Sequence, residues 1–187
     1  MNMYQHVAEL WEQPKENLGP LWKERLIAWR REPVTLRLER PTRIDRARSL
    51  GYKAKNGVLV VRQRVSKGPH RRTWAGGRRS KAMRTIKALR KSYQVIAEER
   101  ANKSYVNCEV LNSYWVAQDG RFYWYEVILI DPLHPEVKAD KQLSGITGRG
   151  RASRGMTSAG KKMRGLRWKG KGVEKARPSR RANLRRM

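Results

Sequence analysis

The stretch VNCEVLNSYWVAQDGRFYWYEVILIDP, Val106 to Pro132, decides the fold. Val106–Val116 and Phe122–Ile130 are long runs rich in β-branched and aromatic residues, so both read as strands. Asp119-Gly120 between them predicts a two-residue type I′ hairpin turn. That turn would set Trp115 opposite Trp124, Leu111 opposite Ile128 and Tyr114 opposite Tyr125. Asp131-Pro132 ends the second strand, because proline cannot donate to a ladder.

Upstream, Val58–Val65 is valine-rich and alternates with Arg62 and Arg64 at its far end, which predicts another strand. Val34–Leu38 alternates as a shorter one. The first 32 residues read as helical, punctuated by Pro14 and Pro33, with Leu18, Leu21, Trp22, Leu26 and Trp29 sharing a face. Arg43–Leu50 reads as a basic helix, with Gly51 as its stop. Met83–Arg100 reads as a further helix, with Ile86, Leu89, Tyr93 and Ile96 or Ala97 on one side and Lys87, Arg90 and Lys91 on the other. The fold class is therefore α+β: a small antiparallel sheet with helices packed on it, plus a long basic extension. Residues 1–140 form the globular domain, including a basic loop at 66–81, and residues 141–187 form the extension.

The 187 residues carry 44 Lys and Arg against 16 Asp and Glu, a net charge of +28, and the charge is unevenly placed. Met1–Glu32 is neutral, Pro33–Ser104 carries +17, Tyr105–Asp140 carries −4 and Lys141–Met187 carries +15. A one-signed field of that size opposes compaction unless an anion lies against it, and nucleic acid is the polyanion of matching charge density. The extension has hardly any apolar periodicity. It cannot bury enough alone to offset its ordering entropy, so it is expected to become fixed only against such a partner.

Other classes fit poorly. No apolar run approaches the ~18 residues of a membrane span, and the N-terminus lacks the pattern of a signal peptide; the chain reads as soluble and intracellular. The single Cys108 lies in a predicted strand as a small buried thiol. His6, His70 and His134 make no metal-spaced pair. Asp119, Asp131 and Glu136 fall at turns, where capping is their expected work. Gly170-Lys171-Gly172 lacks the strand and helix of a phosphate-binding loop. No catalytic residue, metal, cofactor or small-molecule substrate is expected.

The basic segments carry the positive case. Ser66–Lys81 interleaves Gly68, Pro69, Gly76 and Gly77 with His70, Arg71, Arg72, Trp74, Arg78 and Arg79. Arginine and lysine bind phosphate as charge-assisted donors, glycine lets backbone approach it, and rings such as Trp74 and Trp168 stack on unpaired bases. Arg43, Arg46, Lys53 and Lys55 form a second cluster. A single run of cations is usually a solvated face, but several clusters and a tail in one chain point to binding. No zinc finger, heptad repeat or recognition helix supports major-groove reading. A globular body with Gly/Arg extensions suits threading into folded RNA.

Four segments resemble one family: ERPTRIDRARSLGYKAKNG (Glu39–Gly57), AGGRRSK (Ala75–Lys81), VLNSYWVAQDG with YEVILIDPLHP (Val110–Pro135), and GLRWKGKGVEKARPSRRAN (Gly165–Asn183). The chain resembles the fifteen-e family of large-subunit ribosomal proteins of archaea and eukaryotes, in an archaeal form. The resemblance implies a four-stranded antiparallel sheet with helices on its faces, buried against large-subunit ribosomal RNA beside neighbouring ribosomal proteins, in the cytoplasm and without catalysis. It implies RNA contacts for Arg43, Arg46, Lys53, Lys55, Arg78, Arg79, Lys81, Lys161, Lys162, Lys169, Lys171, Arg177 and Arg180. Arg71, Arg72, Trp74 and Trp168 join that set on chemistry alone, as do the neighbouring cations Arg48, Arg164, Arg167 and Arg181. The rival readings are a sequence-neutral, chromatin-type DNA compactor and an RNA-modifying enzyme.

Overall fold

The computed structural model describes residues 2–68, 77, 91–146, 148–168, 170 and 173, together with the backbone of 70–71 and 86–87. Its centre is a four-stranded antiparallel sheet in the order β1-β2-β6-β5. The strands are β1 (Thr35–Leu38), β2 (Val58–Ser66), β5 (Glu109–Gln118) and β6 (Phe122–Ile130). A separate two-stranded pair joins β3 (His70–Arg71) to β4 (Ile86–Lys87). Three helices precede β1: α1 (Met3–Leu10), α2 (Pro14–Asn17) and α3 (Gly19–Arg31). Then come α4 (Ile44–Ser49), α5 (Tyr93–Ser104), α6 (Pro135–Ala139) and α7 (Ser158–Met163).

Strand β6 is central and, apart from Glu126, apolar on both sides, and its alternation feeds two cores. Trp124, Ile128 and Ile130 pack with Trp11, Trp22, Leu26 and Trp29 of the N-terminal segment, Ala47 of α4, Val137 of α6 and Leu143. Tyr125, Val127 and Leu129 pack on the opposite face with Ala97 and Ala101 of α5, and with Ala152. Helices thus cover both faces of the sheet, and the α+β architecture expected from the sequence is the one found.

Two local expectations are corrected. The hairpin does not use a type I′ turn. Asp119 Oδ1 accepts from the backbone N–H of Arg121 at 2.7 Å and of Phe122 at 2.6 Å, while Asp119 N–H donates to Phe122 O at 3.0 Å. Gly120 is not among the glycines with positive φ, so this aspartate cap, not left-handed glycine, makes the reversal. The register follows: Trp115 stands opposite Tyr125, Tyr114 opposite Glu126 and Asn112 opposite Ile128, with irregularities at Val110/Asn112 and Trp115/Ala117. An extra residue at each bulge shifts every pair beyond it.

The helix expected over 83–100 starts later. The Ser92 side chain caps it by accepting from Val95 N–H at 3.3 Å, and the helix runs from Tyr93 to Ser104. Ile86 and Lys87 lie instead in β4, paired with Arg71 and His70 of the loop expected to lack regular structure. The basic helix ends as the sequence predicts: Gly51 follows α4 at φ +100°, a conformation that side chains rarely adopt.

Candidate nucleic-acid interface

Among the described residues, the basic stretch around α4 is tied to the domain by carboxylates. Glu126, fully buried on β6, accepts from Thr42 N–H at 3.1 Å and from the Tyr114 hydroxyl, which fixes the chain just before α4. Burial pushes the Glu126 carboxyl up, against its hydrogen bonds with Thr42 and Tyr114, and also pushes up the Tyr114 phenol. Asp140 receives Lys53 at 2.6 Å and Lys55 at 3.2 Å. The Lys53 hydrogen bond, helped by Gln142 N–H, lowers Asp140 to about 2.

The start of the basic extension is held in the same way. Glu109 accepts from the N–H groups of Gly150 at 2.8 Å and Arg151 at 3.1 Å. Glu98, buried in α5, accepts from Ser113 on β5 and, at 2.6 Å, from the Thr157 hydroxyl. Thr157 in turn caps α7 by accepting from Gly160 N–H at 3.1 Å. Burial pushes Glu98 up despite these two donors. Leu143, Ala152, Gly155, Thr157, Ala159 and Gly160 are all buried. The segment has no core of its own; it borrows the domain's. The spacing of Glu98, Glu109 and Thr157 in the sequence carries no sign of this.

The expected binding residues divide accordingly. Arg43 is turned inward, 3.2 Å from Asp45 and with its guanidinium 5.0 Å from the Trp11 ring centroid. Lys53 and Lys55 share Asp140. Arg48 is exposed, donates to the Tyr4 hydroxyl and lies over that ring. Arg46 is exposed with no carboxylate within salt-bridge distance among the described residues. On the extension, Lys161 and Arg164 are half-buried, with Arg164 donating to the carbonyls of Arg154 and Gly155 at 3.4 Å. Lys162, Arg167 and Trp168 are exposed. Only the backbone of Arg71 is described. Arg72, Trp74, Arg78, Arg79, Lys81, Lys169, Lys171, Arg177, Arg180 and Arg181 lie outside the described residues.

Further exposed cations escaped the sequence reading: Arg37, Arg40, Arg149 and Arg154. The signal was available for the last two, which flank glycines on the extension. Arg62 and Arg64, in contrast, are used internally. Arg62 bonds Glu32 at 2.5 Å over the Trp29 ring, and Arg64 donates to Arg30 O over the Phe122 ring. Asp119 and Asp131 accept from backbone N–H groups just downstream, the capping work expected of them, whereas Glu136 accepts from the Asn56 side chain at 2.9 Å; Asp140, not singled out in the sequence, also accepts from Gln142 N–H. Among the described residues, no cluster of His, Cys, Asp or Glu is placed to hold a metal, and no helix is long and apolar enough to cross a membrane.

Comparison with known proteins gives this cationic surface its setting. The family described as Ribosomal L15 matches residues 2–183. The large ribosomal subunit protein eL15 of Methanocella arvoryzae is 53% identical over 190 residues, covering 98% of this chain and 96% of that one. Its counterpart in Nanoarchaeum equitans is 51% identical over 188 residues, covering 98% and 99%. With nearly the whole chain matched in both comparisons, the protein belongs to the L15e family of large-subunit ribosomal proteins.

Proposed function

We propose that this structural constituent of the large ribosomal subunit binds folded large-subunit ribosomal RNA by neutralising phosphates where RNA segments converge. The observation that carries the proposal is the division of its charges. Carboxylates at 98, 109, 126 and 140 are used on the protein's own basic segments, while Arg46, Lys162 and Arg167 face outward. An outward cation whose field is not cancelled by a neighbouring acid is the group that releases counterions from a phosphate backbone. Arg43, Lys53 and Lys55 act in the same region by shaping it, with any phosphate contact added to the internal pairing.

Residues 1–140 serve as the RNA-facing body and 141–187 as the extension that follows the RNA. The described first part of that extension is docked on the domain. Trp168, 60% exposed, adds a ring suited to base stacking to this basic stretch. Exposed Leu10, Leu21 and Ile27 suit part of the N-terminal segment to neighbouring ribosomal proteins, since apolar side chains bring no charge to an RNA contact. DNA compaction finds no support in the family assignment, and a ribosomal structural role requires no catalysis.

Co-sedimentation tests the proposal. The full-length protein should remain with large subunits through high-salt gradients. Release from the subunits together with equal retention on duplex DNA would contradict it.

A further inference from the structure

The start of α3 and the tip of the β5–β6 hairpin enclose a cleft of about 470 Å³, within the ~300–1,000 Å³ range of small-ligand sites. Met1–Glu32 is neutral as a whole, yet Lys15 and Lys23 line this cleft and none of that segment's glutamates does. Lys67 joins them from beyond the end of β2, its ammonium donating to Asp119 O and lying 4.3 Å from the Tyr123 ring centroid. Trp22 and Leu26 supply an apolar wall.

Two further features favour an anion. Asp119 also lines the cleft, but its charge is met by Arg30 at 2.7 Å and by the N–H groups of Arg121 and Phe122. Burial alone would raise its carboxyl; the backbone donors and Arg30 outweigh that and hold it low. The positive end of the 13-residue α3 meets the cleft at Gly19; Pro20 has no N–H and Leu21 N–H is taken by Leu18 O at 3.1 Å, so this end acts through its dipole. The space is open on both sides, since a Cβ at Gly19 or Gly120 would meet nothing within 4 Å.

We infer that this cleft receives one unstacked nucleotide of the bound RNA, its phosphate on Lys15 and Lys23 and its base against the wall formed by Trp22 and Leu26. A nucleotide joins an anion to a flat apolar body, the combination these walls present; an acidic side chain brings only the anion. The inference rests on the RNA-binding reading above.

Ultraviolet crosslinking of full-length protein to large-subunit ribosomal RNA, followed by trypsin digestion and mass spectrometry, tests it. Nucleotide adducts are expected on the peptides Glu16–Lys23 or Ser104–Arg121. The double variant Lys15→Gln, Lys23→Gln should keep its melting temperature. It should flatten the dependence of log affinity on log salt by about 0.7 per lost contact, up to about 1.4. Adducts confined to the basic segments with an unchanged slope would overturn the cleft assignment alone. So would crosslinks in assembled subunits joining Lys15 or Lys23 to an acidic residue of a neighbouring protein. A wild-type protein whose RNA affinity does not depend on salt would overturn the RNA-binding reading itself, and the occupant with it.

Discussion

The two faces of the sheet are closed by different chemistry. On one, four tryptophans (Trp11, Trp22, Trp29 and Trp124) interlock, with Trp11 and Trp22 edge to face at 6.0 Å and Trp29 and Trp124 tilted at 6.2 Å. On the other, no described tryptophan is buried: Val61, Val65, Val110 and Val127 pack with Ala97 and Ala101 of α5 and with Ala152, and Ala159 and Gly160 of α7 are buried nearby. Large rings hold the neutral N-terminal helices by burying area. Small residues do something else. They let a polar, arginine-rich chain approach the domain closely enough for Glu98 and Glu109 to take its backbone and hydroxyl groups. A segment with few apolar residues and no apolar period is thus docked largely by hydrogen bonds in a buried site, where each bond is strong and each loss is costly.

The largest effect is expected on the tryptophan face. Trp124→Ala removes a side chain only 1% exposed at the centre of the sheet and should cost about 3–5 kcal/mol. Chemical denaturation would show it as a lower midpoint for the whole domain. On the other face, a Cβ at Gly160 would stand 2.6 Å from the Gly155 Cα, a backbone atom that no rotamer can move. Gly160→Val should therefore cost about 1–3 kcal/mol through overpacking. Its signature should be local: faster trypsin cleavage after Arg149, Arg151 and Arg154, with the domain's midpoint little changed. Equal global unfolding by both variants would erase the distinction between the faces.

A smaller effect separates the two buried carboxylates of the sheet and α5 from Asp140, which is paired with Lys53 and Lys55. Burial raises Glu98 and Glu126 above the ordinary 4.5, so their contribution is fully present below that pH and falls as pH rises from there to their raised values. Asp140, held at about 2 against an ordinary 3.8, behaves oppositely: its contribution is present above 3.8 and lost as pH falls through about 2. Denaturation midpoints across this range should show Glu98→Gln removing part of the decline above 4.5, and Asp140→Asn removing part of the loss in acid. A Glu98→Gln profile that kept the full decline would mean that the carboxylate is not the group responsible.

Much of this architecture is legible in the residues. The four strands and the N-terminal helical face with Trp22, Leu26 and Trp29 follow from β-prone composition and period. The hairpin register does not, because it depends on the Asp119 cap and on bulges that local pattern leaves unmarked. The docking of residues 143–160 was hidden for a related reason. Its determinants are Thr157 on Glu98, 59 positions away, and the close Gly155–Gly160 approach, and neither produces a hydrophobic period. Composition names the class of partner. It cannot separate Arg46 from Arg43, three positions apart, of which only the second lies beside a carboxylate and a tryptophan ring.

The measurement closest to the central claim, that outward cations bind RNA while the acids hold the protein's own basic segments, is a salt titration of binding to large-subunit ribosomal RNA. The full-length triple variant Arg46→Gln, Lys162→Gln, Arg167→Gln should melt like wild type. Its plot of log affinity against log salt should be flatter by about 0.7–0.9 per contact, roughly 2–3 units in all. An unchanged slope in a folded variant would contradict the claim and place these three side chains against solvent or protein.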